Sequence, residues 1–87
     1  DIREILHLQM DELRRKLDEN GVGIRFSKAF EDYMSNEGYD PAYGARPIKR
    51  LMQRELINLI AKAILEGRVS RGSTVEVDVR DGQVVIN

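Results

Sequence analysis

Gly38-Tyr39-Asp40-Pro41-Ala42-Tyr43-Gly44-Ala45-Arg46-Pro47-Ile48-Lys49-Arg50 is the stretch on which the reading of this chain turns. It reads as a glycine-bounded loop that delivers Arg46 to the start of a helix. The only two prolines of the chain bracket that arginine. Pro41 stiffens the approach, and Pro47 suits the first helical turn, where a missing N–H costs nothing and φ is already set. Lys49 and Arg50 follow one turn later on the same side. A helix start carries partial positive charge from its unpaired N–H groups, so each cation there opposes the dipole by about 0.3–1 kcal/mol. A docked anion, phosphate above all, reverses that balance. The small Gly44-Ala45 pair before the arginine leaves room for a ligand or another chain to come close to the backbone.

Downstream, the apolar residues Ile48, Leu51, Met52, Leu56, Leu59, Ile60 and Ala63 predict a long helix over 45–66 with a wide buried face. Such a face needs cover from several sides, so this helix is expected to be central. Ile57, Ala61 and Leu65 form a narrower strip on roughly the opposite side, to be covered by the chain's own hairpin or by a partner subunit. Upstream, residues 1–20 read as an amphipathic helix with the stripe Ile2, Leu6, Met10, Leu13 and Leu17. Asp11 with Arg15, Glu12 with Lys16, and Arg15 with Glu19 are spaced for solvent-side pairing. Asn20-Gly21 marks its end. Ile5 and Leu8 lie outside the stripe, either as scattered surface residues or as a contact for a segment beyond this chain.

Between these helices, Gly23 to Phe26 alternates like a short strand. Ser27 then reads as the N-cap of a short helix that runs to Glu37, with Phe30, Tyr33 and Met34 inward. After Gly67 the period changes from 3.6 to 2: Val75, Val77 and Val79 alternate with polar residues. Asp81-Gly82 then predicts a type I′ hairpin that sets Val79 opposite Val84 and Val77 opposite Ile86. Two strands alone are marginal, so the Ile24–Phe26 segment is the natural third. The fold class is α+β: three helices organised around a long central one, packed with a small three-stranded sheet that includes the C-terminal hairpin. Eighty-seven residues make a single domain, 1–87.

Composition narrows the chemistry. Apolar residues make up 41% and charged residues 33%, the balance of a globular domain, and no apolar run reaches bilayer length. The chain has no cysteine and one histidine, His7. No disulfide framework, zinc site or histidine-based nucleophile relay is therefore expected. There is no G-x-x-x-x-G-K-[ST] loop, and the acidic residues stand opposite basic ones rather than as a catalytic dyad. The opening Asp1-Ile2-Arg3-Glu4 has no initiator methionine and no signal-peptide apolar region, as expected of a chain cut from a longer one.

Turnover by this chain alone is not expected. What remains is the basic arc Arg46, Lys49, Arg50 and Arg54, with no acid inside it on an ideal helical wheel. It is either a solvated face or an anion receptor that lacks the rest of its site. A net charge of −1 and the lack of interleaved aromatics weigh against a nucleic-acid module.

The strings Gly38-Tyr39-Asp40-Pro41, Gly44-Ala45-Arg46-Pro47, Arg50 and Gln53-Arg54-Glu55 resemble the C-terminal small domain of the second ATPase module in ClpB-type disaggregases. The likeness runs from the first helix to the closing Thr74-Val-Glu-Val-Asp-Val79 strand. It implies an AAA+ lid in which Arg46, with Gly44 and Ala45, contacts the phosphates of ATP as sensor 2. The ATP and its Mg are held mainly by a large AAA+ domain outside this chain. Lys49 and Arg50 are candidate secondary anion contacts. Ile5, Leu8, Ile57, Ala61 and Leu65 are candidates for a subunit or domain interface. The implied partners are that large domain, neighbouring protomers of a homohexamer, polypeptide substrates and DnaK-type chaperones. The implied place is the cytoplasm or the lumen of an organelle of bacterial origin. A ClpA- or ClpC-type protease-associated unfoldase shares the Gly-Ala-Arg triplet and is the alternative. Many relatives carry proline where this chain has Leu59, so the long helix is expected to run unbroken here.

Overall fold

In the computed structural model, which describes residues 2–87, the first apolar stripe folds as α1 (Ile2–Glu19). Leu6, Met10, Leu13 and Leu17 are buried on one face; position 1 of the expected helix lies outside the described residues. The helix stops where the sequence says it must. Gly21 takes φ +74°. Its N–H bonds the Asp18 carbonyl at 2.9 Å, and the Val22 N–H bonds that of Leu17 at 2.9 Å. That double bond with a left-handed glycine is a Schellman stop, and buried Val22 against buried Leu17 supplies its apolar contact.

The expected i,i+4 pairs along α1 do not form among the described residues. Asp11 instead holds Arg14 at 2.7 Å, three residues on. The pairs with structural consequence cross to the next helix, α2 (Lys28–Glu37): Arg3 to Asp32 at 2.8 Å and His7 to Glu31 at 2.6 Å. Both are solvent-exposed and contribute modestly to stability. They bridge α1 and α2 on the solvent side of the buried contact made by Leu6, Phe30 and Met34.

Strand β1 (Gly23–Phe26) pairs in parallel with β2 (Thr74–Arg80), and β2 pairs antiparallel with β3 (Gln83–Ile86), in the order β1-β2-β3. The hairpin register is the one the Asp81-Gly82 turn dictates: Val79 faces Val84 and Val77 faces Ile86. Both turn residues have positive φ, 53° and 75°. The orientation of β1, which the sequence left open, is parallel, and the long helical connection to β2 supplies the crossover that such pairing needs. Ser27 ties sheet to helix. Its N–H bonds the Val77 carbonyl at 2.9 Å, its hydroxyl accepts the Phe30 N–H at 3.1 Å, and the same hydroxyl donates to Asp78 Oδ1 at 2.8 Å.

The central helix is one continuous rod over 47–65, with a feature the sequence reading missed. Its ends are α-helical, α3 (Pro47–Leu51) and α4 (Asn58–Leu65), but Met52–Ile57 is π-helical, and the Asn58 N–H reaches back to the Gln53 carbonyl. The cause lies in the spacing of the core residues. Ile48, Met52, Leu56 and Ile60 are all buried, and all are four apart. In an ideal α-helix such a series drifts about 40° per step. The wider π turn keeps them in line. Leu59 lies just beyond it and continues the rod, as expected. Ile48, Leu56, Phe30, Met34 and Leu6 are completely enclosed at the centre of the core. A second Schellman stop at Gly67 (φ +76°) ends the rod, with the Arg68 N–H bonded to the Ala63 carbonyl at 2.9 Å.

Candidate functional site

The segment that presents Arg46 is rigid by its own hydrogen bonds. Asp40 and Gly44 form a bridge, with Asp40 N–H to the Gly44 carbonyl at 2.8 Å and Gly44 N–H to the Asp40 carbonyl at 2.6 Å. Inside it the Asp40 carboxylate accepts the N–H groups of Ala42 and Tyr43 at 2.7 and 3.1 Å, the Asx geometry a short polar side chain offers a turn. Gly44 has φ +66°, and a Cβ there would meet nothing within 4 Å. This glycine is therefore explained within the chain by its backbone conformation rather than by crowding.

Arg46 occupies the N-cap position and Pro47 the first helical position, without a side-chain cap. The Arg46 guanidinium lies over the Tyr43 ring, 5.5 Å from its centroid. Arg46 and Arg50 line one concavity of about 490 Å³ with Tyr43 and Pro47. On its other side Arg46 borders a second hollow, of about 430 Å³, with Lys49, Ala45, Gln9, Ile5 and Tyr43. Among the described residues, Arg46, Lys49 and Arg50 form no ion pair. Free guanidinium edges facing one hollow suit the oxygens of a phosphate, which can take a two-pronged hydrogen bond.

The four-cation arc drawn on an ideal wheel does not survive in that form. Arg54 lies 3.8 Å from Glu55, its neighbour in sequence within the π turn, so unlike the other three it stands beside an acid. Glu55 also faces Tyr33, whose hydroxyl is held above its ordinary pKa by burial first and by the Glu55 and Glu37 carboxylates next. Lys49 turns toward α1, lining a cleft with Gln9, Glu12 and Lys16. The structure thus brings together Arg46 and Arg50, sets Lys49 at the flank, and separates Arg54. Tyr43 is the residue that sequence reasoning passed over. Its signal was its place three residues before the arginine, inside a turn closed by Asp40 and Gly44.

The candidate interface residues divide. Leu65 is 88% exposed, Leu8 62% and Ile5 39%, and Ala61 is also exposed, with Ile64 beside the strip at 47%. Ile57 departs from the expectation: it packs half-buried against the core, because the π turn rotates it toward the α1 side. The hairpin leaves Ala61 and Leu65 open. Among the described residues no helix is long and apolar enough to cross a membrane, and no group of three or more acidic or imidazole side chains gathers to hold a metal.

Comparison with known proteins agrees with the fold and with the motif. The family model described as the C-terminal, D2-small domain of ClpB protein matches residues 1–77. Chaperone protein ClpB 1 of Parasynechococcus marenigrum (strain WH8102) is 44% identical over 87 residues, all of this chain and 10% of the relative. Chaperone protein ClpB 2 of Nostoc sp. (strain PCC 7120 / SAG 25.82 / UTEX 2576) is 44% identical over 81 residues, 93% of this chain and 9% of the relative. Chaperone protein ClpB of Rhodopirellula baltica (strain DSM 10527 / NCIMB 13988 / SH1) is 44% identical over 86 residues, 99% of this chain and 10% of the relative. The chain spans about a tenth of the length of these chaperones. With the α+β fold and the Gly44-Ala45-Arg46 helix start in place, the match leaves one assignment: this chain belongs to the family of ClpB C-terminal, D2-small domains.

Proposed function

We propose that this domain is the lid of an ATP-driven protein-disaggregating chaperone, in which Arg46 is the sensor 2 contact to ATP phosphates. The carrying observation is the Arg46 guanidinium, held over Tyr43 and free of carboxylates, beside Arg50 at a shared concavity. The donor set fits a phosphate: two guanidinium forks and no competing acid. Bound ATP, with its Mg held by the large domain, supplies the hydrolysable phosphoanhydride. This chain's part is to bind phosphate charge at Arg46, backed by Gly44 and Ala45, with Arg50 as a second cation. A rigid loop on a rigid helix makes the domain move as one body with that arginine, which couples nucleotide state to the angle between lid and large domain. Assembly into a homohexamer, through Leu65, Ala61, Ile5 and Leu8, and work on polypeptides with DnaK-type partners complete the reading.

Arg46→Ala in the full-length parent tests it. A charge-assisted hydrogen bond contributes about 1.5–3 kcal/mol. Nucleotide affinity or ATP turnover at this module should therefore fall tenfold or more, while circular dichroism and melting temperature of the domain stay unchanged. Parental affinity together with parental turnover defeats the proposal.

A further inference from the structure

We propose that Tyr43 is a positioning residue for Arg46, an aromatic rest that holds the guanidinium in place while leaving all its donors free; this rests on the phosphate reading of Arg46 above. The ring is 62% exposed, so the core does not account for it. It borders both hollows that flank Arg46, and the guanidinium carbon lies 5.5 Å from its centroid. The backbone reinforces the pairing. The Arg46 N–H bonds the Tyr43 carbonyl at 3.4 Å, and the Tyr43 N–H is fastened to the Asp40 carboxylate at 3.1 Å, so ring and arginine leave the same closed turn.

The choice of an aromatic has a chemical logic. A long arginine side chain on a surface samples many rotamers, and something must select one. A carboxylate would do so by occupying the fork of N–H donors and cancelling the charge, leaving little for a phosphate. A ring attracts the flat face of the cation through its quadrupole. The five N–H donors lie in the guanidinium plane, and with the face supported they stay available at the edge. Tyr43 therefore orders Arg46 without competing with its ligand. Any six-membered aromatic face meets this need, so the phenolic hydroxyl is dispensable.

The test uses the full-length parent with four variants: Tyr43→Phe, Tyr43→Leu, Arg46→Ala and the double Tyr43→Leu/Arg46→Ala. Affinity for a fluorescent ATP analogue and steady-state kcat and KM are read at fixed salt, with melting temperature as the fold check. Tyr43→Phe should stay within about twofold of the parent, and Tyr43→Leu should weaken nucleotide binding about two- to fivefold, the range of a solvent-exposed cation–π contact. In the Arg46→Ala background, Tyr43→Leu should add nothing, since a residue acting through Arg46 has no effect without it. Parental affinity in Tyr43→Leu alongside a weak Arg46→Ala overturns the positioning role and leaves the phosphate contact standing. An undiminished Tyr43→Leu effect in the Arg46→Ala background overturns it too, because Tyr43 then acts through a contact of its own. Parental behaviour in Arg46→Ala removes the phosphate reading, and the inference with it.

Discussion

Gly38 closes α2 at the point where the central helix crosses it, and replacing it by alanine gives a sharp test of that packing. Its φ of −86° and ψ of 2° suit any residue, so no backbone strain opposes the change. A less flexible unfolded chain even favours it by about 0.4–1 kcal/mol. The opposing effect is steric. An added Cβ would stand 2.4 Å from Ile48 Cγ1 and 2.6 Å from the Met34 carbonyl oxygen. Carbon atoms prefer about 3.5–4.0 Å, so one side must yield by roughly an ångström. Neither neighbour yields easily: the first belongs to a completely buried side chain, and the second is the backbone that accepts the Gly38 N–H at 2.8 Å. Overpacking of this kind costs about 1–3 kcal/mol, which leaves a net loss near 1–2 kcal/mol after the entropic gain. For a domain of this size that lowers the melting temperature by about 4–16 °C. Thermal and urea unfolding followed by circular dichroism measure it. Ile48→Ala, about 2–5 kcal/mol costly alone, should cost less in the Gly38→Ala background, because the clash leaves with the side chain. A Gly38→Ala protein as stable as its parent would falsify the close-packing argument.

Gly44 should respond to different substitutions: its left-handed φ with open space around it predicts a loss of about 1–2 kcal/mol for Gly44→Ala but a smaller one for Gly44→Asn, read from urea midpoints. Ser27→Ala removes both the α2 cap and the hydrogen bond to Asp78, and should cost about 0.5–2 kcal/mol, again in urea. Asp78 has its pKa lowered by the Val79 N–H first and the Ser27 hydroxyl next, with Arg80 helping. A carboxylate that is more acidic in the folded state stabilises the fold above its ordinary pKa of about 3.9 and loses that contribution as pH falls through the lowered value. Asp78→Asn should therefore flatten the stability profile below about pH 4 and leave its shape above pH 5 unchanged, as checked by melting at stepped pH.

How much of this was legible in the sequence depended on whether the cause was local. The Asp81-Gly82 turn demands positive φ at both positions, and that demand alone fixed the hairpin register down to Val79 opposite Val84. Asn20-Gly21 and Gly67 announced two helix ends for the same reason. The parallel placement of β1 was not legible, because no neighbouring residue encodes which edge a remote strand joins. The π turn was visible in principle, in the strict fourfold spacing from Ile48 to Ile60, but a wheel drawn at a fixed angle hides it. The same fixed angle set Ile57 on the side opposite the core, whereas it packs half-buried against it. The place of Arg46 at the helix start was legible from Pro47 and Gly44. Its approach to the Tyr43 ring was not, since a tyrosine three residues away in a loop reads as an ordinary loop residue until the turn is seen to close.

The wide turn at Met52–Ile57 also bears on how this helix tolerates a change in length. Elsewhere in the rod, losing one residue rotates everything beyond it by about 100° and takes the core face away from the core. Within the π turn the effect reverses. With one residue removed between Met52 and Leu56, the core positions fall four, three and four apart, the spacing an ordinary α-helix wants, and both flanking segments keep their faces. The rod thus carries one spare residue, stored between the end that bears Arg46 and the end that exposes Leu65. A single deletion there should be absorbed by rewinding, whereas one a turn to either side should unseat one flank of the core, a difference that urea unfolding of the two deletion variants would read.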